Sequence, residues 1–378
     1  MKEPIHILHV IKSLGRGGAE TLLVETLKKH DQSKFKFHYI YFLPWKDQLV
    51  QELQHAGGIV TCLTATNNLQ IICRAKDILK YCRYHNVRLI HCHLPWAGFA
   101  VRRLGDRVGI PILYTEHNKQ ERYHFLTRWL NRLTFNRQTA VIAVSEDVAL
   151  SIKGNLKPEI PVHEVVNGVN TDEYIRDSEA GPKVRDLYEI PNDAIVIGCV
   201  AVFRAQKRLK EWMEVFRRAS AQNSKLYAFV IGDGPLKADL ERERRIMELE
   251  GRLFMPGMQS NVKPWYSAMD IFMMTSEFEG LPIALLEAMS MECAVVTTDA
   301  GGIKQVIRSD EDGLMVRVGE WENLSEKLTD LATNCSKRRA LGLAARNRVI
   351  NAYDLRQMVS ETERIYEEYC TQLQSNGK

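Results

Sequence analysis

Two glutamates eight positions apart stand out in SEFEGLPIALLEAMSMECAVV, residues 276–296. Glu279 comes just before a Gly-Leu-Pro turn, and Glu287 sits inside a run of Ile, Leu, Ala and Met. A buried charge is costly unless it is paired or hydrogen-bonded. Either a neighbouring cation or amide satisfies Glu287 for packing, or a ligand that comes and goes does.

Other groups able to do chemistry lie just after strand-like runs. SLGRGGAET (13–21) sets Gly15, Gly17 and Gly18 ahead of a helix. There the backbone can approach a ligand closely and free N–H groups can meet an anion; the plain alternative is a tight strand-to-helix turn. The motif is not G-x-G-x-x-G, and no acidic residue ends the second run (YFLPW), which disfavours a dinucleotide site. GDGP (232–235) also follows a run and precedes a helix, and alone it is equally readable as a turn. VAVFRAQKRLKEW (200–212) ends a run with Arg204, Lys207, Arg208 and Lys210. That cluster is a clamp on a diphosphate or the solvated start of a helix.

Three further stretches carry histidine, acid or base. His117 lies in TEHN (115–118), as a catalytic or a structural histidine. HCHL (91–94) puts His91 and His93 on one strand face, a metal pair only if a third ligand joins them. The one Asp-x-Asp is Asp310-Glu311-Asp312, in the hydrophilic stretch SDEDG, read as a solvated turn. No catalytic metal is therefore expected, and protein cations and amides must meet any diphosphate charge. ERYHFLTRWLNRLTFNR (121–137) carries four arginines and one glutamate, with Leu126, Trp129, Leu130 and Leu133 at helical spacing. It reads as a helix packed on its own sheet, or as a basic amphipathic face on anionic lipid.

The elements that must position these groups alternate along the chain. Strand-like runs begin at IHILHVI (5–11), FKFHYIYFL (35–43), GIVTCL (58–63), LIHCHL (89–94), ILYTEHN (112–118), AVIAVSE (140–146) and HEVVNGV (163–169). The second half adds AIVIGCVAVF (194–203), LYAFVIGDG (226–234), RLFMPG (252–257), DIFMMTS (270–276), AVVTTDAGG (294–302) and GLMVRVG (313–319). Helix-like stretches separate them, the pattern of βαβ units and parallel sheets. Thirteen strands exceed one doubly wound sheet, so two Rossmann-like domains facing across a cleft are expected. The polar stretch NTDEYIRDSEAGPKVRD (170–186) reads as the connection. The expected domains are residues 1–169 and 170–356, with a charged helix at 357–378 packing back on the first. Open parallel sheets place ligands at the carboxyl ends of their strands.

Composition narrows the class. The 378 residues are 45% apolar and 26% charged, as in a soluble globular protein. The first eleven residues are too short for a signal peptide, and no run approaches a membrane span. Eight cysteines are scattered without a C-x-x-C pair, which fits reduced core thiols and a cytoplasmic protein. Residues 1–168 hold 23 Lys and Arg against 14 Asp and Glu, and the remainder holds 28 against 33. The basic front half calls for an anionic partner. No nucleic-acid-binding signature is present, which leaves phosphate or a membrane surface.

Together these residues resemble the family 4 glycosyltransferases, of GT-B fold. EFEGLPIALLEAM is similar to the family's Glu-x7-Glu element, and GGAET, TEHN, SEDV (145–148), NGVN (167–170), GDGP and AGGIKQVI (300–307) fall in the family's order. The likeness spans nearly the whole chain. It implies retaining transfer of a hexose-type sugar from a nucleotide-diphosphate sugar, UDP-linked, with no cofactor and no essential metal. It implies that Glu287 binds the ribose hydroxyls, and that Glu279 with the Gly280, Leu281 and Pro282 backbone faces the donor sugar. Lys207 would hold the diphosphate, with Gly232, Gly234 and Pro235 beside the donor. His117 would lie by the transferred sugar, and Gly17 and Gly18 by phosphate and acceptor. Met258, after a Pro-Gly turn, is placed at the wall that chooses the base.

Two departures matter. The family's arginine five residues before the lysine is Val202 here, so Arg204 is the candidate to take over the phosphate contact. The Gly-Gly-x-x-Glu element ends in the neutral Gln305. The expected acceptor is a glycan, or a lipid-linked glycan, at the inner face of a membrane, reached through residues 121–137. A nucleotide-sugar epimerase of the same architecture, or a non-catalytic nucleotide-sugar-binding protein, fits the same residues.

Overall fold

The computed structural model describes residues 3–105 and 109–375. It divides into two compact units. One comprises residues up to Asn167 together with the segment from Leu355 onward; the other is Gly168–Asp354.

The first unit holds a parallel seven-stranded sheet of β1 (Ile5–Val10), β2 (Phe35–Tyr41), β3 (Ile59–Cys62), β4 (Leu89–His93), β5 (Ile112–Glu116), β6 (Ala140–Ala143) and β7 (Val162–Glu164). Its order is 3-2-1-4-5-6-7. The strands are apolar on both faces because helices cover both. Ile7 points to one side, with Leu23, Phe37 and Tyr366; Leu8 points to the other, with Ile40, Ile78 and Ile90. The helix Leu355–Ser375 completes the first of these layers through Ile365, Tyr366, Tyr369 and Cys370.

The second unit holds a parallel six-stranded sheet of β8 (Ile195–Val200), β9 (Leu226–Ile231), β10 (Leu253–Gly257), β11 (Ile271–Met274), β12 (Ala294–Thr298) and β13 (Leu314–Val316). Its order, read from β10, is 10-9-8-11-12-13. Chain direction across the sheet reverses between β8 and β11, as it does between β1 and β4 in the first unit. A crevice opens at such a switch point, at the carboxyl ends of the strands. Trp212, Met213 and Phe216, on the helix Leu209–Gln222, fill the core on one face. The Trp212 indole N–H donates to the Met273 carbonyl at 2.8 Å, tying that helix to β11.

Three local expectations are corrected. The HEVVNGV strand is only Val162–Glu164; the chain bonds once more to β6, through the Val165 amide, and then turns away. The 170–186 stretch, read as the connection, is folded into the second unit. The Arg176 guanidinium caps it against the carbonyls of Met291, Ser267 and Met269, and residues Ala180–Leu187 form a helix. In SDEDG, Asp312 is buried rather than solvated, accepting from both the amide and Nε of Arg308 at 2.7 Å. Among the described residues no helix is long and apolar enough to cross a membrane.

Candidate functional site

In the second unit the loops after β8, β9, β11 and β12 knit together. The Thr275 hydroxyl lies 3.1 and 2.9 Å from the carbonyl oxygens of Lys207 and Arg208. The Glu277 amide donates to the Gln206 carbonyl at 2.8 Å, and the Phe203 amide to Asp233 at 2.9 Å. Gly232 and Gly234 lie against the backbone of Ala201 and Phe203, and Pro235 follows them.

These contacts place Lys207 and Glu279 side by side. Lys207 Nζ is 2.6 Å from Glu279 Oε1, and the Ser276 hydroxyl donates to the same oxygen at 2.6 Å. Both side chains are largely buried, at 18% and 9% exposure. Arg204, three residues earlier, is exposed, and its side chain has no hydrogen bond or ion pair among the described residues. The cation nearer the acid is thus engaged, and the outer one is open to an anion.

The Glu279–Gly280 turn rests on a paired glycine support. Gly301 has φ +54°, a left-handed conformation, and a Cβ there would collide with the Glu279 carbonyl oxygen. A Cβ on Gly302 would collide with the Gly280 carbonyl oxygen. Gly302→Ala is expected to cost about 1–3 kcal/mol by overpacking. Circular-dichroism melts should show the transition falling several degrees, with Gly319→Ala as control, since nothing lies within 4 Å of a Cβ there.

Glu287 sits on the helix Ile283–Ser290, which Pro282 precedes as its N-cap, one position earlier than the first-turn placement its type suggests. The carboxylate is 7% exposed. Its Oε1 accepts from the Tyr174 hydroxyl and its Oε2 from the Tyr266 hydroxyl, each at 2.8 Å. Neither a cation, an amide nor a ligand is therefore needed to make burial tolerable: two phenols supply the donors. Burial, with Glu287 beside it, pushes the Tyr266 hydroxyl well above its usual range, so it stays a donor. Tyr174, Tyr266 and Ser276 carried no sequence signal beyond apolar or polar type. Met258 follows β10, two strands from β8, and is 53% exposed.

The first unit holds the remaining candidates. Gly17 caps the helix Gly18–Lys29 in extended conformation, and the Glu20 carboxylate folds over it. His117, the residue directly after β5, has a buried Nε2 with no partner among the described residues, and burial pushes its pKa down to about 4. Its ring stands 5.8 Å from that of His93. His93 and His91 are joined by a third histidine, His9, with ligand-capable nitrogens within 4.8 Å of one another. Hydrogen bonds already engage them. His9 Nδ1 meets His93 Nε2 at 2.9 Å, and His91 lies between the Tyr366 hydroxyl at 2.7 Å and Thr115 Oγ1 at 2.6 Å.

The 121–137 stretch is two pieces, a short 3₁₀ turn Gln120–Arg122 and the α-helix Phe125–Thr134. The helix lies with its polar side inward. Thr127 and Asn131 are buried, while Phe125, Leu126, Trp129 and Leu133 are 45–75% exposed. A buried polar network accounts for this. Arg102, fully buried, donates to Asn131 Oδ1 at 2.8 Å and Gln138 Oε1 at 2.7 Å, its guanidinium 4.3 Å from the Tyr114 ring. Asn131 donates to Gln120, and Gln120, Tyr114 and Tyr123 all donate to the buried Glu116. Packing the helix on its own sheet by its apolar face is therefore corrected: that face looks outward.

Comparison with known proteins places this geometry. Residues 16–173 match the model described as Glycosyltransferase Family 4, and residues 182–348 the model Glycosyl transferases group 1. The N-acetyl-alpha-D-glucosaminyl L-malate synthase of Bacillus anthracis is 24% identical over 77% of each chain. The UDP-Gal:alpha-D-GlcNAc-diphosphoundecaprenol alpha-1,3-galactosyltransferase of Escherichia coli is 20% identical over 80% of this chain and 82% of its own. The crystal structure of HepE from Anabaena, in complex with UDP and glucose, superposes with a TM-score of 0.85 at 18% identity, covering 96% of this chain and all of that one. The chain belongs to the family 4 glycosyltransferases and has their GT-B fold.

Proposed function

We propose that this glycosyltransferase moves a hexose-type sugar from a UDP-sugar to a glycan or lipid-linked acceptor, with retention of configuration and without an essential metal. What carries the reading is the contact of Lys207 with Glu279 between the loops that follow β8 and β11, the strands flanking the switch point, with Glu287 on the helix after β11. In this reaction the bond from sugar C1 to the phosphate oxygen breaks, and its electron pair leaves with UDP. The acceptor oxygen bonds C1 on the same face, and its proton goes to the departing phosphate. Negative charge grows on the diphosphate, and Lys207 and Arg204 meet it. An ammonium has three N–H donors, so Lys207 can hold Glu279 and a phosphate oxygen together. Glu279 and the Gly280–Pro282 backbone take the sugar, and Glu287 takes the ribose hydroxyls. The E. coli relative named above, whose substrates are UDP-Gal and a lipid diphosphate sugar, supports the donor and acceptor classes.

A melting screen against UDP- and GDP-sugars tests this. A ligand at about a hundred times its Kd adds roughly 2.7 kcal/mol, a shift of several degrees. The selected UDP-sugar should then release UDP in the presence of EDTA. If no UDP-sugar moves the transition, the donor assignment is wrong.

The exposed Phe125, Leu126, Trp129 and Leu133, with Arg122, Arg128, Arg132 and Arg137 nearby, fit an anionic lipid surface that brings the enzyme to its acceptor. The chain is expected to sediment with vesicles containing phosphatidylglycerol and not with phosphatidylcholine alone. Trp129→Glu/Leu133→Glu should abolish sedimentation without changing the melting temperature by more than a degree or two.

A further inference from the structure

We propose that Tyr174 and Tyr266 are positioning residues that set the Glu287 carboxylate to grip a ribose cis-diol, and so make the site select ribonucleotides over 2′-deoxyribonucleotides. This rests on the reading that Glu287 takes the ribose. The two phenols reach Glu287 from different elements, Tyr174 from the segment before the helix Ala180–Leu187 and Tyr266 from the helix Lys263–Ala268. Each donates to a different carboxylate oxygen at 2.8 Å. The terminal torsion of a glutamate is broad and two-fold, so one donor per oxygen, from separate directions, fixes the plane of the group.

Both phenols are themselves held. The Tyr174 amide donates to the Asn170 carbonyl at 2.9 Å, and its own carbonyl accepts from the Ser290 hydroxyl at 2.7 Å and from Arg346 at 3.0 Å. Tyr266 is fully buried, its ring 6.0 Å from Phe272 and 6.4 Å from Tyr174. The arrangement suits an acceptor of hydroxyl protons. An ionised carboxylate has about four acceptor sites, and the phenols take one on each oxygen. A ribose presents two adjacent hydroxyls, one for each oxygen; a 2′-deoxyribose presents one.

The test measures Kd for UDP and for 2′-deoxy-UDP by calorimetry on the full chain, its Tyr174→Phe and Tyr266→Phe variants, and Glu287→Gln. The unmodified chain should prefer UDP by about tenfold or more, the worth of a hydrogen bond to a charged group. Each tyrosine variant should weaken UDP several-fold and 2′-deoxy-UDP less, so that the preference shrinks toward unity. Adding Tyr174→Phe to Glu287→Gln should change nothing further. A merely structural tyrosine would weaken both nucleotides equally, or neither; with Glu287→Gln still removing the preference, that result overturns the clamp and leaves the ribose reading standing. If Glu287→Gln leaves both affinities unchanged, the ribose reading itself falls, and the clamp with it. Should Tyr266→Phe fail to fold, Tyr174→Phe decides alone.

Discussion

Replacing Lys207 by alanine is expected to lower turnover about 10²–10³-fold, the usual cost of removing one preorganised group aimed at developing charge. The ammonium is already in place, 2.6 Å from Glu279 and only 18% exposed, so little reorganisation accompanies its work. Its removal also leaves Glu279 largely buried with the Ser276 hydroxyl as its remaining side-chain donor among the described residues, an acid facing an incoming dianion. Affinity for UDP should therefore fall together with turnover. Arg204→Ala, at an exposed position, should mainly weaken binding. Steady-state UDP release with the donor chosen by the melting screen separates these. Equal small effects at both positions would mean that neither cation sits at the leaving group.

Lowering the pH from 7.5 to 5 is expected to destabilise the first unit alone, by several kcal/mol. All eleven histidines lie at or before position 163. Burial pushes the His91 pKa down to about 3 and that of His38 to about 4, and holds His9 and His93 well below the ordinary value. In the unfolded chain each returns to about 6.5. A depressed folded value means the unfolded chain binds more protons between the two. Stability is thus intact above pH 6.5 and is lost as pH falls below it, by about 2 kcal/mol per ring at pH 5. Three or four such rings approach the whole stability of an ordinary domain. Calorimetric scans across this range should show one transition sliding down by ten degrees or more while the other holds. Two transitions that move together, or not at all, would contradict the placement of these rings.

Most of the fold was legible because each of the thirteen apolar runs contains a strand, and runs of β-branched residues between helices have few other solutions. HEVVNGV misled because Val165, though buried like a strand residue, belongs to the turn that leaves the sheet. The polar 170–186 stretch misled because Arg176 looks solvated by type, yet its guanidinium caps the carbonyl ends of neighbouring helices. At the site, Lys207, Glu279 and Glu287 were readable from their setting after apolar runs. The partners of Glu287 were not: Tyr174 and Tyr266 are distant in sequence, and a phenol that donates a proton is spelled like one that only fills space. For the helix Phe125–Thr134, periodicity announced two faces but not which one looks out. That was decided by Arg102 and Glu116, which lie off the helix and demand polar neighbours.

The segment from Leu355 onward has a consequence for biosynthesis. Tyr366, against which His91 and the apolar side of β1 pack, is synthesised 275 residues after His91. The second unit, continuous from Gly168 to Asp354, can mature during translation. The first unit must wait with one layer bare until the segment from Leu355 onward is made, and a nascent chain stalled before that segment would need a chaperone.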